Sequence, residues 1–347
     1  GYGARSRDFV KALIQLKDKE WDIKIMPQRW GDTPWNFLPE NHPFRSRFIY
    51  QLDQKPDIWF QITVPNEFQP IGNYNIGVSA GIESTLYPGD FLEGSNRMDL
   101  NLVSSNHSKS VALNTEFEKI DKNTKQRIGV IKCEKPIKVL FEGLDLNKYY
   151  KKPSTCMDIK TSNILKGVTE DFCFLYTGHW LPGNFGEDRK NTGLMIKTFL
   201  ETFKGPGNKK PALILKTNHV NYSLLDREET LAKINSIKKD IKGPLPNIYL
   251  LHGEMTDKEI NLLNNDPKIK SIISFTKGEG FGRPLLEAAI TGKPIIVSNW
   301  SGQKDFIHPD YNILIGGTLK NVDESASNNW LIKDSQWFNI DTNVASK

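Results

Sequence analysis

Short apolar runs alternate with polar segments along the chain, most regularly in its second half. Five runs there have the length and composition of buried strands: 172–178, 212–217, 248–253, 271–276 and 294–299. Segments with helical spacing lie between them at 194–199, 231–241 and 257–263, the last behind Thr256 as an N-cap. Alternating helices and continuously apolar strands predict a parallel sheet covered on both faces, which is an α/β fold.

The first half repeats this alternation less cleanly. Its strand-like runs are 21–26, 58–64, 74–80, 100–105 and 137–141. A helix is predicted at 9–16, behind the glycine turn Gly1-Tyr2-Gly3. In a doubly wound domain such a turn joins the first strand to the first helix. We therefore expect the first strand of this domain to be missing from the chain.

The length of 347 residues predicts two domains. We expect the first domain at 1–150, a polar, Lys-rich connection at 151–167 and the second domain at 168–321. The tail at 322–347 loses the strand-helix rhythm but retains large aromatic residues. We expect it to leave the second domain and run back towards the first.

Composition narrows the choice of class. Forty-six Lys and Arg against 41 Asp and Glu give a net charge of +5, which excludes a polycation and leaves room for an anionic ligand. The three cysteines (Cys133, Cys156 and Cys173) are scattered, so neither a disulfide framework nor a structural zinc site is expected. No run of 18 apolar residues occurs. We expect a cytoplasmic protein, with the membrane surface as the alternative location.

The stretch 275–288, FTKGEGFGRPLLEA, carries the most specific chemistry. It follows an apolar run, and Gly278, Gly280 and Gly282 alternate through it. Arg283-Pro284 then opens a helix, where proline costs no hydrogen bond. Glycines between a strand and a helix let backbone N–H groups approach an anion, so this pattern predicts a phosphate-binding turn.

Two carboxylates bracket this turn, Glu279 and Glu287, with seven residues between them. A diphosphate would repel either carboxylate, so each should meet an uncharged part of the ligand and accept hydrogen bonds from hydroxyls. The helix places Glu287 on the same face as Arg283. A Glu that only offsets the helix dipole is the simpler alternative. The agreement of strand, turn, proline and paired carboxylates favours a ligand site.

The pattern EGFGRPLLEAAITGKPIIVSN resembles the E-x7-E signature of retaining GT-B glycosyltransferases, of the glycosyltransferase family 4 or group 1 type. The resemblance covers most of 172–316. It extends more faintly to the first half, where GYGARSRDF resembles the glycine-rich entry loop of the family. YNIGVSAGIEST and DLNLVSSNHSKS resemble later parts of its acceptor-side domain.

The resemblance implies two Rossmann-like domains facing across a cleft. The second would bind a nucleotide-diphosphate sugar, and the first would bind the acceptor. Glu279 would contact the donor sugar and Glu287 the nucleotide ribose, with the backbone of Gly280, Phe281 and Gly282 along the sugar and diphosphate.

The resemblance also implies a basic clamp for the diphosphate. Lys190 matches the family lysine, but His179 stands where the family has arginine, so we expect Arg189 to supply the second charge. The alternative is that both are a solvated helix start. His252-Gly253 ends a strand where the family holds the nucleobase by main-chain contacts, although an ordinary turn would look the same. Lys216 ends a neighbouring strand.

On the acceptor side, Gly1 and Gly3 form the expected entry loop. Many family members use a histidine near the cleft, and Glu83 occupies that region here. Glu83 is predicted to be an acceptor-side base or hydrogen-bond partner, with a surface glutamate as the alternative. His107 follows a strand and is interpreted as structural.

The chain contains no Asp-x-Asp, the motif with which GT-A transferases hold a metal. We expect no metal and no cofactor, only the nucleotide-sugar as substrate, with positive charge supplied by the protein. A carbohydrate or glycolipid acceptor is expected, and a nucleic acid is not. The alternatives are an inactive sugar-nucleotide-binding or structural protein of this fold, and a GT-B-like epimerase or phosphorylase.

Overall fold

The structure is a computed structural model, and it describes residues 1–28, 37–121, 123–152, 164–207 and 209–347. Within these residues the chain forms two parallel β-sheets with helices packed against them. The predicted α/β class is confirmed. None of the described helices is long and apolar enough to cross a lipid bilayer.

The first part of the chain builds the smaller parallel sheet. Its elements are α1 (Tyr2–Lys17), β1 (Ile58–Ile62), β2 (Tyr74–Val78), α2 (Gly89–Asn96), β3 (Leu100–Val103), α3 (Asn106–Asn114), β4 (Glu116–Ile120), β5 (Arg127–Lys132) and β6 (Ile137–Val139). The sheet order in the described residues is β1-β2-β3-β6. Residues such as Ile82, Phe91 and Val103 form a buried cluster against it. Four of the predicted strands are confirmed here.

Two local predictions for the first part were wrong, and one hairpin was missed. Among the described residues, the run 21–26 makes one β-bridge, from Ile25 to Phe48, so it is not a strand. Helix α1 begins at Tyr2 rather than at residue 9, so Gly1 is its N-cap and Gly3 lies in its first turn, not in a loop. The antiparallel hairpin β4–β5 was missed, since charged residues interrupt its alternation and its outer face is exposed.

The second sheet confirms all five predicted strands. Its elements are β7 (Cys173–Thr177), α4 (Thr192–Phe203), β8 (Ala212–Lys216), α5 (Leu224–Lys239), β9 (Ile248–Leu251), α6 (Asp257–Asn265), β10 (Ile269–Ser274), α7 (Arg283–Ala289), β11 (Ile295–Ser298) and β12 (Ile313–Ile315). The order is β12-β11-β10-β7-β8-β9, all parallel. The chain therefore leaves β7 in one direction and returns to β10 on its other side. Such a switch point opens a crevice at the carboxyl ends of the strands.

Burial on both faces explains the continuously apolar strands of this sheet. One face packs against Met195, Phe199 and Ile234, and the other against Leu263 and Leu285. Helix α6 begins as predicted: Thr256 caps it, and the Glu259 carboxylate accepts the Thr256 N–H in return, a complete capping box.

The last strand of the chain contacts residues from both parts of the fold. Strand β13 (Gly317–Asn321) pairs antiparallel with β14 (Gln336–Ile340), which precedes α8 (Thr342–Ala345). The backbone N–H of Thr85 donates to the Gln336 carbonyl at 2.9 Å, and the Gln336 N–H donates to the Thr85 hydroxyl at 2.8 Å. Most of the predicted connection, 153–163 with Cys156, lies outside the described residues.

Candidate functional site

The loops at the switch point bring the predicted basic and acidic residues together. The turn after β10 carries Glu279, and the loop after β7 carries Arg189 and Lys190 just before α4. Because β7 and β10 are neighbouring parallel strands, their carboxyl ends open onto the same crevice.

Lys190 and Glu279 form a close ion pair. The Lys190 Nζ lies 2.5 Å from the Glu279 Oε1, and the Arg189 Nη1 lies 3.5 Å from the Oε2. Arg189 also donates a 2.8 Å hydrogen bond to the Gly278 carbonyl. Both lysine and carboxylate are largely buried. One carboxylate thus holds two cations at the end of the sheet.

Burial and charge act against each other in this cluster. Burial would raise the pKa of Glu279, but the charges of Lys190 and Arg189 outweigh it and the pKa lies below its usual value. Burial lowers the pKa of Lys190, although Glu279 opposes the shift. For Arg189 the attraction of Glu83 and Glu279 overcomes burial, so its pKa is raised. The low pKa of Glu279 favours its charged form at neutral pH.

Glu83 brings the first sheet into the same cluster. Its Oε1 lies 3.5 Å from the Arg189 Nη2, so Arg189 joins two carboxylates from different parts of the fold. About a third of the Glu83 side chain remains exposed. The residue predicted to act on the acceptor side therefore lies beside the predicted donor cations.

The glycine turn packs against the backbone of the first part of the chain. A Cβ on Gly278 would lie 1.9 Å from the Glu83 carbonyl oxygen, and one on Gly280 would lie 2.1 Å from that of Ala80. Gly282 has a φ of 97°, which favours glycine for a different reason. The sequence predicted glycines that admit a ligand; two of them are also needed because another backbone approaches so closely.

Glu287 lies on α7 as predicted, on the face of Arg283. The Arg283 Nε donates to the Glu287 Oε1 at 2.9 Å. Burial raises the pKa of Glu287, while the charge of Arg283 opposes the rise. Arg283 also reaches Asp8 of α1, with its Nη2 2.7 Å from the carboxylate.

The side chain of His252 is committed to an internal contact. Its Nε2 lies 2.7 Å from the Asp226 Oδ2, and both groups are buried. Gly253 has a φ of 121°, and its carbonyl accepts a 2.7 Å hydrogen bond from Lys216. A ligand at this strand end would therefore meet the main chain, and Lys216 orders that main chain.

His179 cannot replace a permanent cation. Burial and the nearby charge of Lys190 lower its pKa, which favours the neutral ring.

The Phe281 ring is buried, 4.9 Å from the Phe306 ring. Its side chain anchors the turn, so only its backbone is left to face a ligand.

Lys277 was missed from the sequence. Its side chain is fully buried, where Nζ lies 2.9 Å from the Glu187 carboxylate and 2.5 Å from the Asn339 Oδ1. Its backbone N–H donates to the Arg189 carbonyl at 2.7 Å. Lys277 thus fastens the basic loop to the glycine turn. The available signal was a lysine at the end of an apolar strand, directly before that turn.

The described residues contain no group of three or more His, Cys, Asp or Glu side chains placed to hold a metal ion.

No protein-family model matches the sequence, and no curated protein matches it. Solved structures do. An α,α-trehalose-phosphate synthase (UDP-forming) from Burkholderia xenovorans, in complex with glucose-6-phosphate, has 6% identity and a TM-score of 0.52 over 75% of this chain and 63% of its own. HepE from Anabaena with UDP-glucose has 17% identity and a TM-score of 0.49, over 73% and 62%. Sucrose-phosphate synthase from Thermosynechococcus elongatus has 12% identity and a TM-score of 0.46, over 70% of this chain and 54% of its own.

The chain thus spans about three fifths of the length of these proteins. At such low identity the likeness to the trehalose-phosphate synthase concerns the fold alone. It confirms the predicted GT-B class, with two Rossmann-like α/β domains.

Proposed function

We propose that this protein is a glycosyltransferase that transfers a sugar from a nucleotide-diphosphate donor to an acceptor, with retention at the anomeric carbon and without a metal. The observation that carries the proposal is the contact of Lys190 and Arg189 with Glu279 at the switch point of the second sheet. A GT-B fold alone would not distinguish an enzyme from a binding protein.

The two cations suit a leaving diphosphate. As the glycosidic bond breaks, negative charge grows on the phosphate oxygens, and preorganised cations stabilise it best in a buried site. The side chains of Lys190 and Arg189 are largely buried and precede the 12-residue helix α4, whose N-terminus adds a partial positive charge. These groups supply locally the charge that a metal supplies in other transferases.

The carboxylates have separate roles in this proposal. Glu279 lies beside the cations and would accept hydrogen bonds from donor-sugar hydroxyls, while Glu287 would accept them from the ribose. Glu83 faces the cluster from the first domain, where it would receive or orient the acceptor hydroxyl. Gly253 and His252 would offer main-chain groups to the nucleobase.

The substrate class is narrowed by the fold relative with the highest TM-score reported above. That synthase is described as UDP-forming and holds glucose-6-phosphate. It supports a nucleotide-sugar donor and a carbohydrate acceptor as the substrates to test first. A glycolipid acceptor remains an expectation from the sequence.

Calorimetry with UDP-, GDP- and ADP-sugars, each with EDTA, tests donor binding. A donor-hydrolysis assay in the presence of EDTA then tests turnover and metal independence. NMR of the anomeric configuration of the product tests retention. Binding with turnover and a retained anomer is expected. Binding without turnover would favour an inactive sugar-nucleotide-binding protein. A sugar phosphate product would indicate a phosphorylase, and an isomerised donor an epimerase.

A further inference from the structure

Arg283 connects the predicted ribose-binding carboxylate to the first domain. It is the first residue of α7, and its three nitrogens point to three carboxylates from three segments. Nε lies 2.9 Å from Glu287 on the same helix, Nη2 lies 2.7 Å from Asp8 on α1, and Nη1 lies 3.8 Å from Glu142, which follows β6.

The cluster is enclosed. The side chains of Arg283 and Glu287 are each 12% exposed, that of Glu142 is 8% exposed, and that of Asp8 is 27% exposed. Arg5 adds a second cation, 3.3 Å from Glu142. Charges held this far from water interact strongly, so removing one member leaves its partners without compensation.

Interactions within helix α7 do not explain why an arginine stands in its first turn. A cation in the first turn opposes the helix dipole, and the order Arg then Glu at i and i+4 is the less favourable one. Among the described residues, the buried Nη1 group has no hydrogen-bond partner. The position of Arg283 is therefore set by the carboxylates of the first domain as much as by Glu287.

We propose that Arg283 is a positioning residue that couples the binding of the donor ribose at Glu287 to the docking of the first domain. This inference rests on the proposed function. Arg283 occupies the Oε1 of Glu287, so the hydroxyls of a bound ribose would use Oε2. Through Asp8, the same guanidinium fixes α1 against α7.

Ionisable groups besides Arg283 surround Glu287. Asp257 on α6 adds to the rise that burial gives the pKa of Glu287, and Glu287 in turn adds to the rise in the pKa of Tyr149. Asp8, Glu142 and Arg5 surround Arg283 itself. All of these groups remain in a variant of Arg283 alone, so a changed pH profile in that variant reports on the guanidinium.

Donor binding to the full chain is measured by calorimetry from pH 6 to 9 for the wild type, Arg283→Met, Asp8→Asn and the double variant. Arg127→Met, on the exposed hairpin, is the matched control. We expect Arg283→Met to weaken binding by about 10- to 100-fold at pH 7. The loss of affinity should be larger at low pH than at high pH, because Glu287 without its cation is protonated more readily.

We expect Asp8→Asn to weaken donor binding by about 3- to 10-fold with the pH profile unchanged, since the Arg283–Glu287 pair remains. In the Arg283→Met background the same change should have no further effect. Arg283→Lys should restore the wild-type pH profile of donor binding. Adding Asp8→Asn to Arg283→Lys should cause no further loss of affinity, because one ammonium cannot reach both carboxylates as a guanidinium does.

Circular dichroism establishes that each variant is folded, and Asp8→Asn tests the coupling even if Arg283→Met does not fold. Additive effects of Asp8 and Arg283, or an unchanged pH profile in Arg283→Met, would overturn the coupling while leaving the proposed function intact. A wild-type protein that binds no nucleotide-sugar would overturn both.

Discussion

The ammonium of Lys190 lies 2.5 Å from the carboxylate of Glu279, and the contact joins two segments that are 89 residues apart in the chain. Both side chains are largely buried, so the charge of each one helps the other to remain charged. In the proposed reaction the diphosphate and the sugar would meet this pair together.

Replacing Lys190 by Ala should weaken donor binding by about 1.5–3 kcal/mol, the usual cost of losing a charge-assisted hydrogen bond. The loss also leaves Glu279 with Arg189 as its remaining close cation. Calorimetry with the working donor measures the change. Lys204→Ala, an exposed lysine at the far end of α4, is the matched control. Unchanged donor affinity in Lys190→Ala would place Lys190 outside the site.

Replacing Glu279 and replacing Glu287 should change different kinetic constants. Glu279→Gln should lower kcat by about 100-fold or more with donor KM little changed, because its interaction strengthens as charge develops in the transition state. Glu287→Gln should raise donor KM by about 10-fold, since the ribose does not change during the reaction. Steady-state kinetics and circular dichroism on both variants decide this. If both show the same pattern, the assignment of roles is wrong.

The close approach of Gly280 to Ala80 should be needed for the two domains to dock correctly. Gly280→Ala places a methyl group 2.1 Å from the Ala80 carbonyl oxygen, which forces the two backbones apart. We expect transfer activity to fall by at least about 10-fold, because a small misplacement of reacting groups has a large cost. Gly167→Ala is the control, because no described residue beyond its chain neighbours lies within 4 Å of the new methyl. Full activity in Gly280→Ala would show that the close approach is not needed.

His107 should make stability depend on pH. Burial lowers its pKa to about 4, although a backbone hydrogen bond with Ser84 and the charge of Asp305 oppose the shift. The unfolded chain binds this proton below about pH 6.5, so stability falls as the pH drops from about 6.5 to 4. The loss from this residue should reach up to about 3 kcal/mol, at about 1.4 kcal/mol per pKa unit.

Urea denaturation of the wild type and of His107→Phe, which keeps a ring against Trp300, measures this contribution. The variant should lose less stability between pH 6.5 and 4. His308→Asn, an exposed histidine, should behave like the wild type over the same range. Parallel curves for the wild type and His107→Phe would show that His107 does not titrate in this window.

Local patterns in the sequence were sufficient for much of the second domain. Strands β7 to β11, the N-cap Thr256 and the turn before α7 were all predicted, because each depends on residues close together in the chain. Spacing within one turn and helix also placed Arg283 on the face of Glu287. The weaker pattern of the first part failed at 21–26, where a strand would need neighbours that pair along its whole length.

Only the tertiary structure decided which charges meet. Lys190 contacts Glu279, Arg283 contacts Asp8, and Gly280 packs against Ala80. In each case at least 89 residues of chain separate the two. Periodicity specifies which face of an element is buried but not which distant segment covers it. That choice follows from the strand order of the sheet and the packing of the two domains, and with it come the burial and the pKa shifts that give the site its chemistry.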